Sequence, residues 1–205
     1  MKNNASVFSI GSLTRISVLA AVAILLFQPF LEFALPFFPP WLKLDASAVP
    51  VLLAGFALGP VHGLIVQLLK SALHLLQTST MGVGELADFV MGASLMLPAA
   101  LIYARKHTLT AAMLGLGVGI VCACVAGVLT NLYILLPLYM SLMGESAIIG
   151  GANAKNQSIV NIFTYVTYAV IPFNLLKGFI VSLITFLLYK RLRPLLKPNA
   201  RRDAA

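Results

Sequence analysis

A chain of 205 residues in which 60% are hydrophobic and only 10% charged does not have the composition of a soluble domain. A formal net charge of +8 would point to nucleic acid in a soluble protein, but here the charges flank long apolar runs, so their placement relative to a membrane carries the information and nucleic-acid binding is set aside. The runs are also too long and unbroken for the short alternating strands of an outer-membrane barrel, which leaves an all-α integral membrane protein.

Six helices are expected, near residues 13–35, 48–58, 61–76, 85–103, 109–142 and 159–192, forming a six-transmembrane-helix bundle in one membrane domain over 1–205 that closes with a basic tail at 193–205. No small-residue cleavage site follows the first run, which is therefore read as a retained helix. That helix carries Ser17 and Ala21 four positions apart, a spacing at which small residues let another helix backbone approach closely. An internal contact and an outward docking face for a partner are both open readings. The connection FPPWLKLDASAVP follows, and its Trp41 is either an interfacial anchor or a ring for stacking on a ligand.

The second helix is too short to cross a hydrocarbon core of about 30 Å at about 1.5 Å per residue, so it and the third are short, tilted or re-entrant. The last two runs exceed what that thickness requires. They must tilt or project, and a projecting outer end offers a rim for a ligand pocket. Cys122 and Cys124, two apart in the fifth helix, point to different sides and cannot readily bridge. Ten of the 14 basic residues fall at one face: Lys2, Arg15, Arg105, Lys106, Lys190, Arg191, Arg193, Lys197, Arg201 and Arg202. The positive-inside bias makes that face cytoplasmic and places both termini there.

Polar residues stranded inside these spans are the candidates for function, because a charge at a helix centre costs at least about 2.5 to 3.5 kcal/mol on insertion scales. Asn174 and Lys177 lie three apart, on one face of the last helix, and Asn131 lies in the outer half of the fifth. Together their amides and ammonium suit the edge of a planar heteroaromatic ligand that alternates carbonyl and N–H groups, and they supply neither nucleophile nor base. Lys70 is expected to pair with Glu85 or Asp88, since pairing lowers the cost of bringing both charges into the protein. His62 and His74 have no cluster of further ligands beside them, so a metal site is not expected.

The segments LKLDASAVP, TSTMGVGELADFVMG, TNLYILLPLY and PFNLLKGFIVS, in that order, resemble the riboflavin-specific substrate-binding subunits, or S components, of energy-coupling factor (ECF) vitamin transporters, over about residues 17–192. The resemblance implies a six-helix S component in the bacterial plasma membrane that captures riboflavin externally. It implies ligand contacts from Asn131, Asn174 and Lys177, and pocket-lining roles for Leu44, Asp45, Gly84 and Glu85. Tyr133 is expected among the residues covering the ring's faces. Ser17 and Ala21 would meet a transmembrane coupling subunit, which works with two cytoplasmic ATPases. No cofactor is expected, riboflavin being the transported ligand. The chain itself has no G-x-x-x-x-G-K-[ST] sequence with which to bind ATP. An S component for a different vitamin, and a self-sufficient proton-coupled carrier using Glu85 or Asp88, are the competing readings; an intramembrane enzyme is set aside because no catalytic constellation is visible.

Overall fold

A computed structural model describes residues 10–78 and 80–196, with the backbone alone at Lys190 and at 192–196. Of the expected cytoplasmic basic residues, Lys2, Lys197, Arg201 and Arg202 lie outside the described residues, as does the tail beyond 196. Helix α1 spans Ile10–Leu26. The run expected to continue as helix to 35 ends there because Pro29 has no N–H to donate and its predecessor Gln28 is extended, at φ −76° and ψ 143°. The chain instead forms a short hairpin, β1 (Phe33–Ala34) antiparallel to β2 (Lys43–Leu44), with Phe33 opposite Leu44 and Ala34 opposite Lys43.

Helix α2 (Ala48–Ala57) is buried over all of Val49 to Ala57, the signature of an apolar helix enclosed by others. It ends at Gly59, whose φ of 113° is open to glycine at little cost, and Pro60 then occupies the first turn of α3 (Pro60–His74). A short 3₁₀ turn carries α3 on to Gln77. Helix α4 (Val83–Lys106) and helix α5 (Leu109–Met143) form a tight hairpin through His107, in the left-handed region at φ 49°, and Thr108, whose hydroxyl accepts from Ala111 N at 3.2 Å. A short helix α6 (Glu145–Asn153) follows where the sequence reading has a loop. Helix α7 covers 162–196 and opens with a capping box between Asn161 and Thr164.

Among the described residues, three helices are long and apolar enough to cross a membrane: Val83–Lys106, Leu109–Met143 and Ile162–Tyr189. Two apolar clusters build the core. The larger joins α1 to α5 with Val181 of α7, and the smaller joins Leu136, Ile148, Ile159, Tyr165 and Val170, from the C-terminal end of α5 through α6 to the N-terminal part of α7. Helix α5 gives Ala123 to the first cluster and Leu136 to the second, while α7 gives Val181 and Val170. Asn131 and Asn174 each fall between those pairs, where the two cores meet.

Candidate ligand-binding site

Helices α5 and α7 both change their winding at this junction. Residues Asn131–Leu135 of α5 and Val166–Val170 of α7 are π turns, and the two turns pack against each other. A π turn inserts one residue into the helix and is frequent at functional sites, because it re-aims the side chains around it. Asn131 opens the first turn and Asn174 follows the second by one helical turn. Asn131 Nδ2 donates to Gly127 O at 2.8 Å, and Asn174 Nδ2 donates to Val170 O at 2.9 Å. A carbonyl can only accept, so these contacts fix which end of each amide is nitrogen. Each Oδ1 then has no protein partner among the described residues.

Both asparagines line a cavity of about 320 Å³, within the usual range of small-ligand sites. The hairpin, the first turn of α4, the π turn of α5 and the middle of α7 supply its walls. Of the residues expected there, Asp45, Gly84, Glu85, Asn131, Asn174 and Lys177 are present. Leu44 and Tyr133 are not. Leu44 is half-buried opposite Phe33 in the hairpin, and its neighbours Leu42, Lys43 and Asp45 line the wall. Tyr133, inside the π turn, is 75% exposed on the outer surface, so it does not cover a ligand in the cavity. The aromatic walls come from Phe27, Trp41, Tyr139 and Phe173. Trp41 is fixed there: its Nε1 donates to Tyr165 Oη at 2.9 Å, and its ring packs on Gly151 of α6.

Charges around the cavity are matched within the protein. Lys177 Nζ lies 2.6 Å from Asp45 Oδ2, Lys70 Nζ 2.9 Å from Asp88 Oδ1, and Lys43 Nζ 2.9 Å from Glu32 Oε2. His74 Nδ1 donates to Glu85 Oε1 at 2.9 Å, and Thr78 and Thr80 donate to Oε2 of the same carboxylate at 2.8 and 3.2 Å. Lys70 therefore takes Asp88 of its two expected partners, and Glu85 turns to His74. Ser47 links two of the pairs, since its amide donates to Asp45 Oδ1 at 2.9 Å, its hydroxyl donates to the same oxygen, and that hydroxyl also accepts from Lys70 at 3.1 Å. Burial disfavours the charged form of Asp45, but the ammonium groups of Lys177 and Lys70 and the hydrogen bonds from Lys177 and Ser47 outweigh it and hold the carboxyl well below the usual carboxylate range.

Residues that the sequence reading passed over complete the network. Gln67, fully buried, donates to Asp88 O and Oδ2 at 3.0 Å each, and Ser71 donates to Asp88 Oδ2 at 2.8 Å. A signal for them existed: Gln67, Lys70, Ser71 and His74 recur at three- and four-residue spacing, one polar face on an otherwise apolar helix. Ser17 and Ala21 do not line the cavity and are exposed on α1, on a different face from the buried Ile16, Ala20 and Ala23.

Residues 11–189 match the family described as ECF transporter, substrate-specific component. The chain is 38% identical over 185 residues to "Riboflavin transporter RibU" of Staphylococcus aureus (strain TCH60), covering 90% of this chain and 92% of that protein. It is 27% identical over 188 residues to "Riboflavin transporter FmnP" of Bacillus subtilis (strain 168), covering 90% and 93%. A solved structure described as "Structure and mechanism of the S component of a bacterial ECF transporter" superposes with a TM-score of 0.72 at 37% identity, covering 90% of this chain and 96% of that one.

Proposed function

The chain belongs to the ECF transporter substrate-specific component family, and from that membership we propose that it binds riboflavin at its outer face and hands it to an ATP-driven import machine. The observation that carries the reading is a cavity whose ionic groups are paired within the protein while two amide oxygens, Asn131 Oδ1 and Asn174 Oδ1, have no protein partner among the described residues. Such a site favours an uncharged guest with N–H donors on a flat edge. The isoalloxazine of riboflavin has one, an N–H flanked by two carbonyls. One asparagine Oδ1 accepts from the N–H, the asparagines donate to the flanking carbonyls through their remaining amide protons, and Lys177, which has three donors, reaches the edge while holding Asp45. Trp41, Phe173 and Tyr139 cover the ring's faces.

Capture is external. Helix α4 contributes Gly84 and Glu85 in its first turn to the cavity and carries Arg105 and Lys106 in its last, so the cavity and the basic residues lie at opposite ends of one spanning helix. The tendency of basic residues to collect at the cytoplasmic side supports this reading, with the cavity outside and both termini inside a bacterial plasma membrane crossed six times. The chain performs no reaction of its own. ATP is hydrolysed by two cytoplasmic ATPases joined to it through a transmembrane coupling subunit, which docks on the exposed Ser17 and Ala21 of α1.

Titration of detergent-purified protein with riboflavin tests the reading: flavin fluorescence should quench with one ligand per chain. An unquenched flavin signal, together with no heat of binding, would overturn it.

A further inference from the structure

We propose that Gly127 is a positioning residue for ligand recognition, seating both asparagines of the site; this inference rests on the riboflavin reading above. The carbonyl of Gly127 accepts Asn131 Nδ2 at 2.8 Å. A Cβ placed on Gly127 would stand 2.8 Å from Asn174 Cγ and Nδ2 and 2.9 Å from Oδ1. One residue of α5 thus holds the first amide with its carbonyl and admits the second by having no side chain. Real Cβ atoms do not approach other heavy atoms this closely, so a methyl group here forces a displacement. The atoms in its way are the far end of a side chain. The fold can yield by swinging the Asn174 carboxamide off Val170 O, and the amide then no longer points where the ligand edge needs it.

Other glycines of α5 mark the contrast. A Cβ at Gly119 would meet Leu95 O at 2.3 Å, and one at Gly115 would meet Ala99 O at 2.8 Å. Those contacts are with the backbone of α4, which cannot step aside, so these two glycines serve helix packing. Gly117 has nothing within 4 Å. The single helix therefore carries glycines for packing, an indifferent glycine, and at Gly127 one whose empty volume is filled by a recognition group.

Riboflavin affinity, read by fluorescence quenching on the full chain, distinguishes this role. Gly117→Ala should bind as the wild type does. Gly127→Ala should bind roughly ten- to a hundredfold more weakly, the range for losing one buried hydrogen bond. The double variant Gly127→Ala/Asn174→Ala should bind no more weakly than Asn174→Ala alone, since the methyl then has no carboxamide to displace; a merely structural role would make the two losses add. If wild-type protein binds and Gly127→Ala matches it, or if the double variant falls well below Asn174→Ala, the positioning role is overturned and the riboflavin reading stands. Should Gly127→Ala alone fail to fold, the comparison of the double variant with Asn174→Ala decides by the same criterion. Wild-type protein that leaves riboflavin fluorescence unquenched overturns the reading and this role with it.

Discussion

Lys177 and Asp45 are 132 positions apart in sequence, yet their charged atoms meet at 2.6 Å, and this contact ties the segment after the hairpin to the middle of α7. The Asp45 side chain is almost wholly buried and that of Lys177 keeps 27% of its surface. Removing one partner of a buried pair leaves the other charge uncompensated and costs about 3 to 5 kcal/mol, with the residual exposure of Lys177 placing this pair toward the lower end. Asp45→Asn should therefore lower the melting temperature of the purified protein by several degrees, and adding Lys177→Met should recover part of the loss. Equal melting of Asp45→Asn and wild type would mean that the pair does not hold the loop.

The same pair sets an expectation for pH. The folded protein holds the Asp45 carboxyl below its ordinary value, so the pair contributes stability that is fully present above the unfolded carboxylate's pKa and is lost only as pH falls through the lower folded value. Between about pH 5 and pH 8 the difference in stability between wild type and Asp45→Asn should stay constant. Thermal melts of both proteins across that range provide the check. A difference that shrank on going from neutral to about pH 5 would place the titration inside the range and contradict the depressed value.

Hydropathy made the long spans of α4, α5 and α7 legible, and the expense of a polar side chain in lipid made Asn131, Asn174 and Lys177 legible as well. Two-residue strands have no period to read, so the hairpin was hidden, and the apolar run through Phe30 and Phe33 concealed the break that Pro29 imposes. Helix α6 reads as a loop because GESAIIGGAN is rich in glycine; burial of Ile148 and Ala152 in the second core is what makes it helical. The faces of a π turn also defeat ordinary spacing rules. Asn131 turns inward at its start and Tyr133, two residues on, turns out, a result that depends on how the extra residue is absorbed. Trp41 reaches the cavity only because the hairpin folds over it, and Gly127 matters through atoms it lacks, which no composition or periodicity records.

That difference between Tyr133 and Trp41 gives a paired expectation. Trp41 is held at the cavity wall by Tyr165 and Gly151, whereas Tyr133 is directed away from it. An aromatic contact contributes about 0.5 to 1.5 kcal/mol beyond the area it buries. Trp41→Ala should weaken riboflavin binding at least roughly tenfold, while Tyr133→Ala should leave it unchanged. Fluorescence titration of the two variants side by side is sufficient, and the opposite ranking would show that the flavin lies outside this cavity.

Helix α1 makes separable the two steps that the proposed function assigns to the chain. Its Ile16, Ala20 and Ala23 face the core, while Ser17 and Ala21 are exposed and neither lines the cavity. A small outward pair permits a partner helix to approach to close backbone distance, and leucines there would hold it off by the length of a side chain. Because nothing of the core is disturbed, Ser17→Leu/Ala21→Leu should bind riboflavin with wild-type affinity. Uptake of radiolabelled riboflavin by cells that depend on this protein should nevertheless fall to background, and the variant should no longer co-purify with the coupling subunit. Normal uptake by the double variant would move the docking face elsewhere on the bundle, and lost riboflavin binding would mean that α1 supports the pocket and not the partner.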